Sequence, residues 1–481
     1  MKNMTLGTIA AVCGGTYFAA EESGQKEIKG VVTDSGQVEK DYLFVAIKGA
    51  RVDGHQFIPD AFAKGALAVL SEHKLEHPAG SYILVESTVE AMKQLAAFYR
   101  RSLSVKVVGI TGSVGKTSTK EMIASVLGQR FCVLKTEGNR NNGIGLPLTI
   151  FQIREEHEVA VLEMGISEFG EMHRLAEMAN PDICVITNIG TCHLEGLHDR
   201  DGILRAKTEC FDHMKDDGIA VLNGDDDKLG TIKTVNGRLP VFYGMYKEAA
   251  VGDTPTGYQA LPEKSVYASD VEVRALAGTK AVIHIAAKED ADTGRRKETV
   301  IPVEIPIAGE HNVYNALAAA AVAVHLGLSA DEIRRGIESV QTISGRSNLI
   351  CKDGITVIDD CYNANPDSMK ASVNVLSNAP GRKIAVLGDM GELGKEERAL
   401  HYMVGEHFAG KGIDALFCTG TLSREIAAAV HKNSTGTQVR EFDAKEELTE
   451  ALQRYKREGD TILVKASHFM GFSEIVKRLT E

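Results

Sequence analysis

Short apolar runs rich in β-branched residues recur along this 481-residue chain, and most of them end in glycine or a polar residue. In the middle stand EVAVLE (158–163), DICVITN (182–188) and IAVLN (219–223). Toward the C-terminus follow GITVIDD (354–360), KIAVLGD (383–389), DALFCTG (414–420) and DTILVKAS (460–467). Runs apolar on both faces are what buried parallel strands require, and helical patterns fall between them, so two doubly wound α/β units are predicted. The first hundred residues carry shorter strands over 28–32, 43–47, 68–70 and 83–85, with a closing helix over 89–102. A short helix near the N-terminus turns Leu6, Ile9 and Val12 inward. Glycine, threonine and β-branched residues between Asn223 and Ile307 predict antiparallel strands and hairpins, with the polar tract 288–297 as a solvated tip or loop. A helix over 312–326 then stops at Gly327, which suits a C-cap. The expected fold class is α/β in three domains: a small α/β domain over 1–102, a central, mostly parallel α/β domain over 103–342, and a C-terminal Rossmann-like α/β domain over 343–481.

A length of 481 residues exceeds what one ordinary core serves, which agrees with several domains. The formal charge of −12, with no block of basic residues, argues against nucleic acid as a partner. Eight cysteines lie scattered without a CxxC pair and read as reduced thiols. Cys192, His193, Cys210 and His213 have a spacing that fits no familiar zinc pattern. The N-terminus faintly resembles a secretory signal, but its apolar run is short, is interrupted by Thr8 and places Val12 before Cys13. No run approaches the roughly 20 residues of a membrane span. The expectation is a cytoplasmic protein without membrane insertion.

The most specific local signal is VKVVGITGSVGKTST (105–119), an apolar strand, a glycine-rich turn and a helical pattern. This is the layout of a nucleotide phosphate site and makes the central domain a P-loop domain. The N–H groups of Gly112, Ser113, Val114, Gly115 and the following Thr117 and Ser118 would cradle phosphates at the positive end of a helix. Lys116 would reach the β- and γ-phosphates, and the Thr117 hydroxyl would ligate Mg²⁺. Glycines fall at 109, 112 and 115, and Ile110 stands where a common P-loop has glycine, so the spacing points to a particular P-loop family.

Other residues are weaker signals by position alone. Glu163 ends a strand where an acid could hold Mg²⁺, or simply cap a helix. His193 reads as well as a structural histidine, and Lys207 as a solvated helical lysine. Asp359 to Pro366, with two carboxylates, two amides and a proline, ends another strand and could grip a polar ligand or form an Asx turn. Arg346, in Ser344-Gly345-Arg346 at the apparent domain junction, could swing onto a phosphate. Lys465 to His468 close the last strand at the same kind of edge.

Taken in order, these segments resemble the Mur ligases of peptidoglycan synthesis. GITGSVGKTSTKEM (109–122), EGNRNNGIGLPLT (137–149), LEMG (162–165), the His193 segment, AKTE (206–209), GEHNVYNALAA (309–319), SGR (344–346) and DDCYNANPDSM (359–369) carry the likeness over nearly the whole chain. TDSGQV (33–38), LFVAIKG (43–49) and DGHQFIPDAFAKGA (53–66) resemble the branch that adds D-alanyl-D-alanine. By this resemblance, 1–102 would bind the UDP-sugar end of UDP-N-acetylmuramoyl-tripeptide, 103–342 would bind ATP, and 343–481 would bring D-alanyl-D-alanine. The implied reaction is ATP-dependent amide synthesis through an acyl phosphate, giving ADP and phosphate. Lys116, His193, Lys207 and Arg346 would be catalytic. Thr117, Glu163, His193 and a carbamylated Lys207 would hold Mg²⁺. Asn312 would contact adenine, Arg346 the phosphates and Asp360 the ribose. Asp34, Ser35, Lys48, Asn141, Asn142, Asn363 and Asn365 would meet the substrates. The implied enzyme is a cytoplasmic monomer. Two departures stand out: Gly36 replaces the family's arginine, and Asp41 replaces a customary glycine. Alternatives are another ATP-dependent carboxylate–amine ligase, such as a sibling Mur ligase or folylpolyglutamate synthase, or a P-loop ATPase or switch protein.

Overall fold

The computed structural model describes residues 1–19, 24–246, 264–286, 298–434 and 436–481, and within them three sheets follow one another along the chain. The polar tract expected to form a loop over 288–297 lies outside the described residues. The first sheet runs in the order Thr16–Phe18, Ser81–Leu84, Ala68–Ser71, Tyr42–Val45, Gly30–Val32 and is parallel except at the Thr16–Phe18 edge. Lys29 bonds to Asp41 at 2.8 Å, and Asp41 holds a φ of +69°. That left-handed backbone explains why glycine suits this position elsewhere in the family pattern, since a Cβ is penalised there.

The helix Thr88–Arg101 welds the first sheet to the second. Ser87 caps it by accepting the Glu90 N–H, and its apolar face (Ala91, Met92, Leu95, Ala96, Tyr99) is buried. Tyr99 donates to the Ile153 carbonyl at 2.6 Å, and Arg100 donates to the carbonyls of Ala179 (3.0 Å) and Asn180 (3.2 Å). The result is one apolar cluster that runs from Leu43 and Val45 through Leu95 to Leu162 and Met164. Burial at about 25 cal/mol per Å² makes such a continuous core the main force joining the two regions.

The second sheet has nine strands and places Lys106–Thr111 between Val159–Glu163 and Ile183–Ile186, all parallel. The chain moves outward on one side of Lys106–Thr111 and then returns to its other side. The loop after this strand therefore sits at the point where strand order reverses, the usual ligand crevice of an open parallel sheet. Alternate residues of the strand feed both layers: Val107 packs into the first cluster, while Val108 and Ile110 pack against Met122, Ile123 and Val126 of the helix Lys116–Leu127.

The stretch after Asn223 corrects part of the expectation. Val241–Met245 pairs parallel to Ile219–Asn223, and Val266–Val273 pairs parallel to Val241–Met245. Only the pairs joining Val266–Val273, Thr279–Ile285 and Thr299–Ile305 are antiparallel. Composition reported strands correctly but carries no information on direction, which the crossover between 223 and 241 sets. The helix His311–His325 packs beneath, and Gly327 follows it at φ +82°, as a C-terminal cap requires.

The third sheet has six strands. The hairpin Asn348–Lys352/Ile355–Asp359 leads into parallel Asp460–Lys465, Arg382–Leu387, Ala415–Thr419 and Gln438–Phe442. Its two faces bury separate clusters, with Ile358, Leu387 and Leu463 on one side and Val357, Val386 and Val464 on the other. The carboxyl ends of its parallel strands bring Asp360, Asp389 and Lys465 to one edge, opposite the P-loop.

Candidate active site

The P-loop takes its shape from two glycines and one neighbouring strand end. Gly112 has φ +149°, and a Cβ there would lie 1.9 Å from Thr187 Oγ1, so no other residue fits without moving the strand. Gly115, at φ +82°, is the N-cap of Lys116–Leu127. Asn188 pins the loop, taking the Ser113 N–H on its carbonyl (3.0 Å) and the Val114 N–H on Oδ1 (2.9 Å). Lys116 curls back to donate to the Gly112 carbonyl at 2.8 Å. A cavity of about 630 Å³ opens in front of this loop and is walled on its other side by the third domain, including Arg346, Asp360, Asn363, Asn365, Glu392 and Lys465.

Thr117 donates to Glu163 Oε2 at 3.0 Å, and Asn141 donates to Oε1 at 2.8 Å. Glu163 is buried, so its charge is compensated by these donors and by Lys120 Nζ at 3.9 Å. Sequence reasoning missed Lys120. It is a lysine one helical turn beyond Lys116 that is fully buried and donates to the Thr136 carbonyl at 2.6 Å. The repeated spacing in GKTSTK was the available signal.

His193 adopts φ +55°, a strained value for a residue with a side chain, and aims its ring across the domain cleft. Its Nδ1 lies 2.5 Å from Glu392 Oε2, in contact but without the alignment of a hydrogen bond. Lys207 is wholly buried in the helix Arg200–Thr208, and its Nζ has no hydrogen-bond partner. Burial pushes its pKa down to about 8. The solvated lysine that helical position alone would suggest is thereby excluded.

Two adjacent carboxylates on the third domain divide their work. Asp359 accepts the Gly345 N–H at 2.7 Å and the Ser344 hydroxyl at 3.3 Å, fixing the turn that presents Arg346. Asp360 accepts from Ser372 at 2.5 Å, the Ser347 N–H at 3.1 Å and buried Lys465 at 2.6 Å. The Arg346 guanidinium stacks on Tyr362, 4.1 Å from the ring centre, which holds it at the cavity wall.

Not every expected contact is placed on that wall. The side chain of Asn312 is buried, donating to the Ala308 carbonyl (2.9 Å) and accepting from Asn315 (2.8 Å). His311, Tyr314 and Asn315 line the cavity in its stead. Asn141 serves Glu163, as described, while its neighbour Asn142 caps the helix Gly145–Ile150, with Oδ1 accepting from Ile144 N (3.1 Å) and Gly145 N (2.9 Å). Replacing Asn142 by alanine is expected to cost about 1 kcal/mol of stability, and Asn142→Asp to cost much less. Denaturant melts with substrate KM values check this, because a substrate ligand would instead show its loss in KM. Asn365 lines the cavity but also caps Pro366–Ser377, exchanging bonds with Ser368, and Asn363 Oδ1 takes the Ala364 N–H at 2.9 Å. Asp34, Ser35 and Lys48 lie on the first domain, away from this cavity. Asp34 caps the turn Ser35–Gln37, accepting the Gly36 N–H at 2.8 Å, and Lys64 reaches the Ser35 carbonyl at 2.9 Å.

Among the described residues, two other groupings of possible metal ligands are already engaged otherwise. Cys210 packs beside Cys184, and His213 faces His173 at 3.1 Å, so neither joins His193. Asp53, His55 and His73 gather within metal-ligand spacing. However, His55 already gives Nδ1 to Asp53 (2.6 Å) and takes the Glu72 N–H on Nε2 (3.0 Å).

Known proteins share this arrangement. Family models match three stretches: the Mur ligase family catalytic domain at 27–100, the Mur ligase middle domain at 110–323, and the Mur ligase glutamate ligase domain at 345–468. The UDP-N-acetylmuramoyl-tripeptide–D-alanyl-D-alanine ligase of Bacillus subtilis (strain 168) is 37% identical, covering 100% of this chain and 99% of the relative. Among solved structures, MurF from Acinetobacter baumannii superposes with a TM-score of 0.84 at 31% identity, covering 99% of this chain and 98% of that one. MurF ligase from Thermotoga maritima in complex with ADP gives a TM-score of 0.77 at 31% identity, covering 93% of this chain and 96% of that one. The chain belongs to the Mur ligase family, in its UDP-N-acetylmuramoyl-tripeptide–D-alanyl-D-alanine ligase branch.

Proposed function

We propose that this protein joins D-alanyl-D-alanine to UDP-N-acetylmuramoyl-tripeptide at the expense of ATP, through an acyl phosphate, releasing ADP and phosphate. The observation that supports it most is one cavity with two walls. The P-loop forms one wall, and the Arg346 turn with the Asp360–Asn365 edge forms the other. Phosphorylation of a carboxylate brings two anions together, so the site must concentrate positive charge. Lys116 and Arg346 supply it from opposite walls, acting by position and charge stabilisation. The tripeptide's terminal carboxylate takes the γ-phosphoryl group, and the dipeptide amine then attacks the acyl carbon and displaces phosphate. Contacts between the two walls, such as Thr191 N–H to Asp367 Oδ2 at 3.4 Å, hold the second and third domains together beside the cavity.

The donors present fit Mg²⁺. Thr117 and Glu163 offer hard oxygens, His193 a nitrogen on the cavity wall, and Lys207 an orphaned buried amine. An amine without a partner and with a lowered pKa is suited to add carbon dioxide, and the resulting carbamate would be a further oxygen donor. When bound, Mg²⁺ supplies charge neutralisation between phosphate oxygens. Asp360 is proposed to meet the ribose, and Asp34, Ser35 and Lys48 the UDP-sugar end. The protein is proposed to work as a monomer in the cytoplasm, a compartment that suits its eight free thiols.

The test is phosphate release from ATP with substrates added singly and together. Release is expected only with both UDP-N-acetylmuramoyl-tripeptide and D-alanyl-D-alanine present. Release without either, or with another amine alone, would discard the substrate assignment while keeping the P-loop.

A further inference from the structure

The loop 388–393 of the third domain carries a carboxylate that the mechanism above leaves unused. Its backbone is held from several sides. Buried Asp389 accepts the N–H groups of Thr421 (3.0 Å), Leu422 (3.0 Å) and Ser423 (2.7 Å). Met390 N–H donates to buried His401 at 2.8 Å, and Gly391 N–H donates to Ser467 at 2.9 Å. At the end of this held segment Glu392 adopts φ +61°, a left-handed value that a residue with a Cβ keeps only when its surroundings over-determine it. The outcome is a glutamate aimed into the cavity at its phosphate end, where it meets His193 at 2.5 Å across the cleft.

Among the described residues, the carboxylates that line that cavity are Asp360, Asp367 and Glu392. Asp360 is neutralised by Lys465 at 2.6 Å. Asp367 lies in the first turn of Pro366–Ser377, where the helix end favours an anion, and it also receives the Thr191 N–H. Glu392 receives no hydrogen bond from its own domain among those described. Beside it, Phe469 is an apolar ring left 69% exposed at the cavity wall. A Cβ on Gly391 would lie only 3.1 Å from Phe469 Cε1, so glycine lets this ring rest against the loop. A carboxylate whose partner is a histidine across the cleft, and not a lysine or arginine, stands here next to an exposed apolar face, and together they complement a small ligand that carries an ammonium group and methyl groups.

We propose that Glu392 is the anchor for the ammonium group of the incoming D-alanyl-D-alanine, with Phe469 covering its methyl side. The proposal rests on the function proposed above. The dipeptide enters as an ammonium ion, which becomes a nucleophile only after it loses a proton to solvent, and until then a carboxylate is its natural hydrogen-bond partner. An anion mounted on the third domain draws the amine in and sets it near the phosphate end.

The test compares Glu392→Gln and Glu392→Asp with the wild-type enzyme. Glu392→Gln is expected to raise the KM for D-alanyl-D-alanine by about tenfold or more, as loss of a charge-assisted hydrogen bond does. KM for ATP and for UDP-N-acetylmuramoyl-tripeptide should stay put, and Glu392→Asp should fall between the two. Hydroxylamine, uncharged at neutral pH, replaces the dipeptide in a second assay. ADP release with hydroxylamine and tripeptide should persist in Glu392→Gln. An unchanged KM for the dipeptide overturns the proposal, as does an equal loss with hydroxylamine, or an effect confined to the Mg²⁺ concentration for half-activation. Wild-type enzyme that ligates no dipeptide at all would instead remove the function on which the proposal stands.

Discussion

Lys116→Ala is expected to lower ligation by about 10²–10³-fold, the scale on which removal of one charge-stabilising donor acts. Lys116 Nζ makes its bond to the Gly112 carbonyl within the loop, while the loop itself is pinned by Asn188 and by Thr187, which donates to the Val114 carbonyl at 2.6 Å. Deleting the ammonium therefore leaves the fold intact and removes one positive charge from the place where phosphate charge shifts. Lys120, a turn further on, makes the necessary contrast: it is buried against Thr136 and Glu121, and its loss should appear as instability. Turnover, calorimetric ADP binding and a denaturant melt on both variants separate the two roles. Near-normal ligation by Lys116→Ala would refute the phosphate-site assignment.

Lys207→Ala is expected to be severely impaired and to recover in part when formate or acetate is added. An unpartnered amine inside the protein is costly as a cation, which is why burial lowers its pKa to about 8. A carbamate turns that cation into an anion that Mg²⁺ can use, and a small carboxylate can enter the space that alanine leaves. Absence of rescue at every carboxylate concentration would count against the carbamate but not against the enzyme class. The same burial predicts a pH signature in buffer free of carbon dioxide. The folded pKa lies below the ordinary lysine value, so between the two the unfolded chain binds more protons. Wild-type stability should therefore rise with pH from about 8 toward 10.5, relative to Lys207→Ala, and the gain should be absent below that window. Parallel urea melts across the window would show it as a difference in slope.

The parts of this protein that were legible in the sequence are those whose physics is local. A strand, two positive-φ glycines, a lysine and a threonine within 105–119 specify a P-loop because backbone freedom and a helix end suffice to make one. The fully buried strands likewise announce themselves by unbroken apolar runs, whereas Asn365-Pro366, read as part of a polar grip or an Asx turn, opens the helix Pro366–Ser377. Half-exposed strands do not stand out in the same way: Asn348–Lys352 and Gln438–Phe442 carry too many polar residues. Other matters rested on partners distant in sequence. The neighbours Asn141 and Asn142 are equivalent as text, yet one turns to Glu163 and the other caps a helix. Asn312 and Asn315 lie a single turn apart, and only the second reaches the cavity.

The sequence by itself determined the three-domain α/β plan, the phosphate loop and the family. Each of these follows from periodicity, glycine placement or motif order along one stretch of chain. Tertiary structure alone decided that Lys207 is buried without a partner, that strands after Asn223 continue the parallel sheet, and that Glu392 faces His193 across the cleft. Burial and encounter are properties of the packed molecule, set by which surfaces exclude water together, and no window of the sequence contains them.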